Sequence, residues 1–189
     1  MTTAAAPPRR EQLLASAADL FAARGFHDVG IDDIGAAAGI SGPGVYRHFA
    51  SKQAILEALC ERGITSMLAD ARAIPSAHTD RRAALEALVD LHVDFAVERR
   101  ALIGVWAREQ RALSPDVRRA LRRKQRDYEQ PWRAVLAELR EDLTEPEVAA
   151  AVTATLTMLN ATAVVDPRVP ADDLVRLLRR MALSALLVR

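Results

Sequence analysis

Residues 39–52 of the chain read GISGPGVYRHFASK, and their spacing predicts a tight turn, a very short helix and the start of another. Gly39 follows an alanine-rich run, where a residue free to take positive φ ends a helix, and Ile40 supplies the apolar contact that accompanies such a cap. Ser41 suits the N-cap of the short helix, and Pro43 is tolerated in a first helical turn. Val45 and Phe49 lie four apart on one face, which must be buried. At about 100° per residue, Pro43 and Arg47 fall nearly opposite that face, with Tyr46 and His48 on its flanks. A polar reading face is thereby left to solvent. After a break at Ala50-Ser51, Lys52 enters the first turn of a new helix, where the macrodipole disfavours a cation. An anion such as a DNA phosphate would compensate it.

Upstream, residues 1–8 are expected as a loose arm ending in Arg9 and Arg10, which reach phosphate or minor groove, or only solvent. Leu13, Leu14, Ala17, Leu20 and Phe21 give the first helix, residues 11–24, an apolar stripe, and Gly25 ends it. A second helix over 31–38 has Gly30 at its N-cap and Asp32 and Asp33 in its first turn, where negative charge is favoured. Ile34 and Ala38 turn towards Phe26, so three helices share one small apolar centre, a helix-turn-helix module over 9–52. A fourth helix runs from 51 towards 70 and joins this module to the remainder. The segment 73–79, AIPSAHT, reads as a loop because it contains a proline and has no periodicity. Further helices are expected over 80–99, 101–113, 114–141, 145–165 and 171–187. Pro131 should kink the long one near Tyr128, and Thr144-x-x-Glu147 is a capping box. The expected fold is all-α with about nine helices, and residues 53–189 form a larger second domain.

Composition narrows the function. Half of the 189 residues are hydrophobic but only 4% are aromatic, and apolar spacing is helical nearly throughout, so no sheet competes. A formal charge of +1 excludes a non-specific nucleic-acid coat and leaves DNA contact to locally placed donors. Cys60 is the one cysteine, which rules out an intrachain disulfide and suits a reducing cytoplasm. The N-terminal segment has no signal-peptide core, and the reading expects no membrane span. Four histidines without metal spacing, and the lack of a phosphate loop, nucleophile elbow or carboxylate pair, argue against an enzyme, a metal or a cofactor.

Residues 9–59 resemble the TetR family of bacterial transcriptional repressors. The resemblance is carried by the Leu-Leu and Ala-Ala of the first helix, Leu20-Phe21, Gly25-Phe26, Asp33-Ile34, Ala38-Gly39-Ile40-Ser41, Gly44-Val45-Tyr46-Arg47-His48-Phe49 and Ser51-Lys52. It implies a dimer whose third helices enter successive major grooves of a double-stranded operator. Tyr46, His48 and Lys52 would then contact phosphate, with Pro43 and Gly44 near the bases. It also implies an effector-binding C-terminal domain that dimerises through its last two helices. The chain departs from the family in having Val29-Gly30 where hydroxyl residues are usual, which removes one phosphate contact. With glycine at 44, base reading falls on Arg47, which either bridges guanine O6 and N7 or acts as another phosphate contact.

An effector pocket is expected among helices four to eight, lined by Phe95, Trp106, Tyr128 and Trp132, with Met67, Met158 and Leu159 as apolar wall. His92 and Asn160 fall on apolar faces, so an internal partner or a ligand must satisfy each. The uncharged stretch 148–165 needs cover on all sides, and a homodimer through Leu156, Leu159, Ala163, Leu174, Leu178, Met181 and Ala185 would provide it. Arg118, Arg119, Arg122, Arg123, Lys124 and Arg126 form a basic run that is either a solvated face or, with Arg108 and Arg111, a receptor for the phosphates of a ligand such as an acyl-coenzyme A. The sequence therefore reads as a dimeric repressor released by a small hydrophobic effector. The alternatives are a ligand-blind architectural DNA-binding dimer, or an activator using the same contacts.

Overall fold

The computed structural model describes residues 8–165 and 168–188; the expected arm, apart from Pro8, lies outside them. The described residues are all-α: α1 Arg9–Arg24, α2 Ile31–Ala37, α3 Gly42–Val45, α4 Lys52–Ala77, α5 Arg81–Glu98, α6 Arg100–Glu109, α7 Pro115–Leu139, α8 Glu145–Leu159 and α9 Ala171–Leu187. Short 3-10 turns extend α6 over Gln110–Ala112 and α8 over Asn160–Val164. The boundaries follow from capping chemistry. Ser51 Oγ accepts the Ala54 N–H at 3.1 Å, Asp80 accepts that of Arg82 at 2.9 Å, and Ser114 Oγ accepts that of Val117 at 3.4 Å. Glu147 Oε2 accepts from both the N–H and the hydroxyl of Thr144, at 2.8 and 2.7 Å, and these bonds hold its carboxyl below the usual range.

The loop expected over 73–79 is overturned, because α4 continues to Ala77 with Pro75 inside it. Pro75 lacks only one N–H, close to the helix end where carbonyls are already short of partners. Side chains serve those carbonyls: Arg81 donates to Pro75 O and His78 Nδ1 to Ile74 O, both at 3.0 Å. Ala71 is fully buried and Ile74 packs on the core, so tertiary contact keeps the last turns helical. Helix α7 likewise runs unbroken through the buried Pro131.

Two apolar clusters result. The larger joins α4, α5, α7, α8 and α9 around Leu85, Leu88, Tyr128, Trp132 and Leu159. The smaller gathers Leu13, Phe21, Phe26, Ile34, Val45, Phe49 and Leu56, and is completed by Val105 of α6, Leu113 of the α6–α7 connection and Leu121 of α7. The expected partner-facing set is corrected here. Leu156, Leu159, Leu174 and Leu178 are buried in the protomer's own core, because α8 and α9 turn these four leucines inward onto α5 and α7. Ala163, Met181 and Ala185 remain outside, beside exposed Val164, Leu177 and Val188. The stretch Glu145–Val164 is long and apolar enough to cross a membrane, contrary to the sequence reading. Its inner face is packed in the protein, and Thr153 and Thr157 lie on its outer face.

Candidate nucleic-acid interface and internal cavity

The α2–α3 turn is built on three glycines. Gly39 takes φ 70°, and Ile40 N–H then reaches back to Gly35 O at 2.9 Å. A Cβ on Gly35 would lie 2.8 Å from Ile40 O, and one on Gly42 would lie 1.8 Å from Asp32 Oδ1. The backbone of the turn therefore lies against Gly35 closer than a side chain permits, and the Asp32 carboxylate occupies the space beside Gly42. Asp33 Oδ2 accepts the Gly30 N–H at 2.8 Å, which lowers its pKa and fixes the start of α2. Val45 and Phe49 point into the small core, so the turn presents Pro43, Tyr46, Arg47 and His48 together on one exposed face. Gly44 lies half-buried between them. The Arg47 side chain has no hydrogen-bond or ion-pair partner among the described residues.

The other expected contacts sit differently. Lys52 Nζ donates to Phe26 O at 2.7 Å, Val29 O at 2.7 Å and His27 O at 3.2 Å, and lies 4.6 Å from the Phe26 ring centroid. The inference that this cation needs a phosphate is thus corrected: carbonyls of the α1–α2 loop balance it, a partner invisible to local sequence. Arg9 donates to Ala38 O at 3.0 Å at the end of α2, and Arg10 stacks 4.7 Å from the Phe49 ring centroid. Both arginines anchor the start of α1 to the module.

A cavity of ≈ 80 Å³ lies between α4, α5, α6, α7 and α8. It brings together Met67, His92, Phe95, Trp106, Tyr128 and Asn160, as the sequence suggested, and adds Gly63, Leu102, Ile103, Leu121, Gln125 and Leu156. Trp132 and Met158 are core packing instead and do not line it. Gly63, Leu102 and Leu121 were missed because neither a glycine nor a leucine in a helix marks a cavity; Gln125, a polar residue in a charged run, carried no signal either.

His92 organises the polar side of the cavity. Its Nδ1 lies 2.9 Å from Tyr128 Oη and its Nε2 3.2 Å from Asn160 Oδ1. With Nε2–H donating to Asn160 and Nδ1 accepting the tyrosine O–H, a neutral imidazole satisfies both neighbours. Burial lowers the pKa of His92 to about 4, against the opposing hydrogen bond to Asn160. Burial also raises the tyrosine hydroxyl, and pushes the Cys60 thiol up to about 12 with help from Glu57 and Glu109, so that thiol stays protonated.

Helix α6 links this cavity to the helix-turn-helix. Its Leu102, Ile103 and Trp106 form cavity wall. One turn later, Arg108 donates to Ala22 O at 2.5 Å and Glu109 Oε1 accepts the Phe26 N–H at 3.1 Å. Beyond it, Gln53 donates to Ala112 O at 2.5 Å, and Glu57 accepts the Ser114 N–H at 3.4 Å. Gly63 lets α6 press on α4, since a Cβ there would lie 2.9 Å from Leu102 Cδ2.

A reading face set on a glycine-built turn, tied through one helix to an apolar cavity, defines a DNA-binding transcriptional regulator. The family model for bacterial regulatory proteins, tetR family, matches residues 13–59, and that for the tetracyclin repressor-like C-terminal domain matches residues 78–164. The chain belongs to the TetR family of transcriptional regulators, whose members act by binding and not by catalysis. It is 38% identical over 87 residues to the transcriptional activator FasR of Mycolicibacterium smegmatis, a match covering 46% of this chain and 40% of that one. It is 40% identical over 81 residues to the transcriptional repressor KstR2 of Rhodococcus jostii, covering 43% of this chain and 40% of that one. The matched stretch thus spans well under half the length of each curated relative. A solved TetR-family regulator from Bordetella parapertussis aligns with a TM-score of 0.81 at 25% identity, over 92% of this chain and 93% of that one.

Proposed function

We propose that the protein is a homodimeric repressor that holds a palindromic operator through Tyr46, Arg47 and His48 and is released by a small apolar effector in the His92 cavity. Residues 9–52 serve as the DNA-binding head and 53–189 as the effector-binding and dimerising part, acting in the cytoplasm where the chromosome is reached. The observation that carries this reading is α6, which walls the cavity with Leu102 and Trp106 and holds the head through Arg108 and Glu109. At ≈ 80 Å³ the cavity has room for only a few waters, so a larger ligand must push α6 away from Gly63. That push strains the contacts with Ala22 and Phe26 and tilts the head. Two heads must match roughly one DNA turn, 34–36 Å, and a coupling of about 1–3 kcal/mol suffices to lower occupancy. Leu177, Met181 and Val188, exposed on and just beyond α9, and the exposed alanines and threonines of α8 support a two-fold contact there.

A duplex selected from a random library by the purified protein supplies the operator. Saturating medium-chain fatty acid is expected to lower the affinity for it; identical affinity with and without the acid would sink the ligand-release reading. Arg47→Ala is expected to lose about 1–3 kcal/mol at one base position and to relax specificity there. Uniform weakening across all operator variants would make Arg47 a phosphate contact instead. The relative that activates matches this chain as the repressor does, so an activator is the second reading, and a reporter placed behind the selected operator separates the two.

A further inference from the structure

The basic run of α7 is sorted by the fold into paired and unpaired cations. Arg119 pairs with Asp116, and Lys124 reaches Glu61 at 2.7 Å and Thr65 at 3.1 Å. Arg118 and Arg122, one turn apart, instead face Arg108 and Arg111 of the α6 region across a cleft of ≈ 530 Å³, with Ala107 and Gln110 completing its lining. The side chains of Arg111, Arg118 and Arg122 have no hydrogen-bond or ion-pair partner among the described residues, and the Arg108 guanidinium is engaged only by the carbonyls of Gly104 and Ala22. Four arginines lining one hollow without a carboxylate give it a positive potential that favours an anion. Forked donors on both walls suit phosphate oxygens, which accept two parallel N–H bonds.

The cleft adjoins the cavity. Trp106 lines the cavity and Ala107 the cleft; Leu121 lines the cavity and Arg122 the cleft. The two spaces therefore draw on neighbouring residues of α6 and of α7.

We propose that the arginine cleft is the phosphate subsite of the effector, and that the effector is an amphiphile with an apolar body in the His92 cavity and one or more phosphates between α6 and α7. An acyl-coenzyme A and an isoprenyl diphosphate both have this chemistry. This rests on the reading of the cavity as the effector site. Because Arg108 also holds Ala22 O, a phosphate drawing on that guanidinium competes with a contact to the head, so the anion contributes directly to operator release.

The test measures binding of decanoyl-coenzyme A, decanoate and coenzyme A to the full chain by calorimetry and Trp106/Trp132 fluorescence. It is repeated on the double variant Arg118→Gln/Arg122→Gln, whose melting temperature is checked first. The thioester is expected to bind at least about tenfold tighter than decanoate, and the variant to lose that advantage with decanoate affinity unchanged. Equal affinities for thioester and acid, or equal losses in the variant, overturn the subsite. Coenzyme A binding as tightly as its thioester shows a nucleotide site independent of the cavity and overturns the amphiphile. If coenzyme A binds and neither decanoyl compound adds to it, the cavity reading fails separately. A fall of about two in the salt slope of operator affinity in the variant would assign the cleft to DNA phosphate and overturn the proposal.

Discussion

Replacing Lys52 by alanine is expected to lower stability by about 2–4 kcal/mol and to leave the salt dependence of operator binding unchanged. The ammonium joins three carbonyls of residues 26–29 to the first turn of α4 and rests on the Phe26 ring. Charge-assisted bonds of this kind contribute about 1.5–3 kcal/mol each when dry, and the half-buried setting reduces their sum. The truncation leaves carbonyls short of partners and loosens the loop that places α2 against α1. Lys52→Met keeps the aliphatic packing on Phe26, so it separates lost hydrogen bonds from lost contact area. Urea melts of the three proteins give the stability change. A decrease of about one in the slope of log affinity against log salt, with stability unchanged, would instead make Lys52 a phosphate contact.

Acid should destabilise the protein from about pH 6.5 downwards, before most carboxylates titrate. The folded pKa of His92 is about 4 against 6.5 for the free side chain, so between these values the unfolded chain binds a proton that the folded one does not. Stability is fully present above pH 6.5 and is lost as pH falls, by about 3 kcal/mol on reaching pH 4. His92→Gln keeps hydrogen-bonding capacity towards Tyr128 and Asn160 but cannot titrate. The difference between the wild-type and variant pH profiles isolates this contribution from those of Asp33 and Glu147, whose lowered pKa values act at more acid pH. A flat difference profile would mean that the imidazole takes up its proton as readily in the folded protein as in the unfolded chain.

These two residues also show what local pattern conveys. The helix-turn-helix was legible because Gly39, Ser41, Ser51 and the Val45/Phe49 pair act within one turn of chain, and the structure ends its helices within a residue or two of the expected positions. The position of Lys52 was equally plain, but its partners lie more than twenty residues upstream, so helix electrostatics could pose the question and not answer it. His92 and Asn160 announced themselves as polar groups on apolar faces, yet only the packing of α5 against α7 shows that Tyr128 is the third member. Pro75 misled because a proline signal is local and the packing that overrides it is not. The inward face of α8 was misassigned for a related reason: periodicity shows which face is apolar, and not whether the same protomer or another copy covers it.

Val105, Leu113 and Leu121 give the small apolar cluster a consequence for how the protein can be taken apart. They come from α6, α7 and the connection between them, yet they pack with Leu13, Phe21 and Phe49. A fragment ending at α4 would expose that contact, so heating the whole chain should melt head and body in one calorimetric transition. For the same reason a DNA-binding head grafted from another regulator would need these three positions recut to match before its new specificity could be controlled by this cavity.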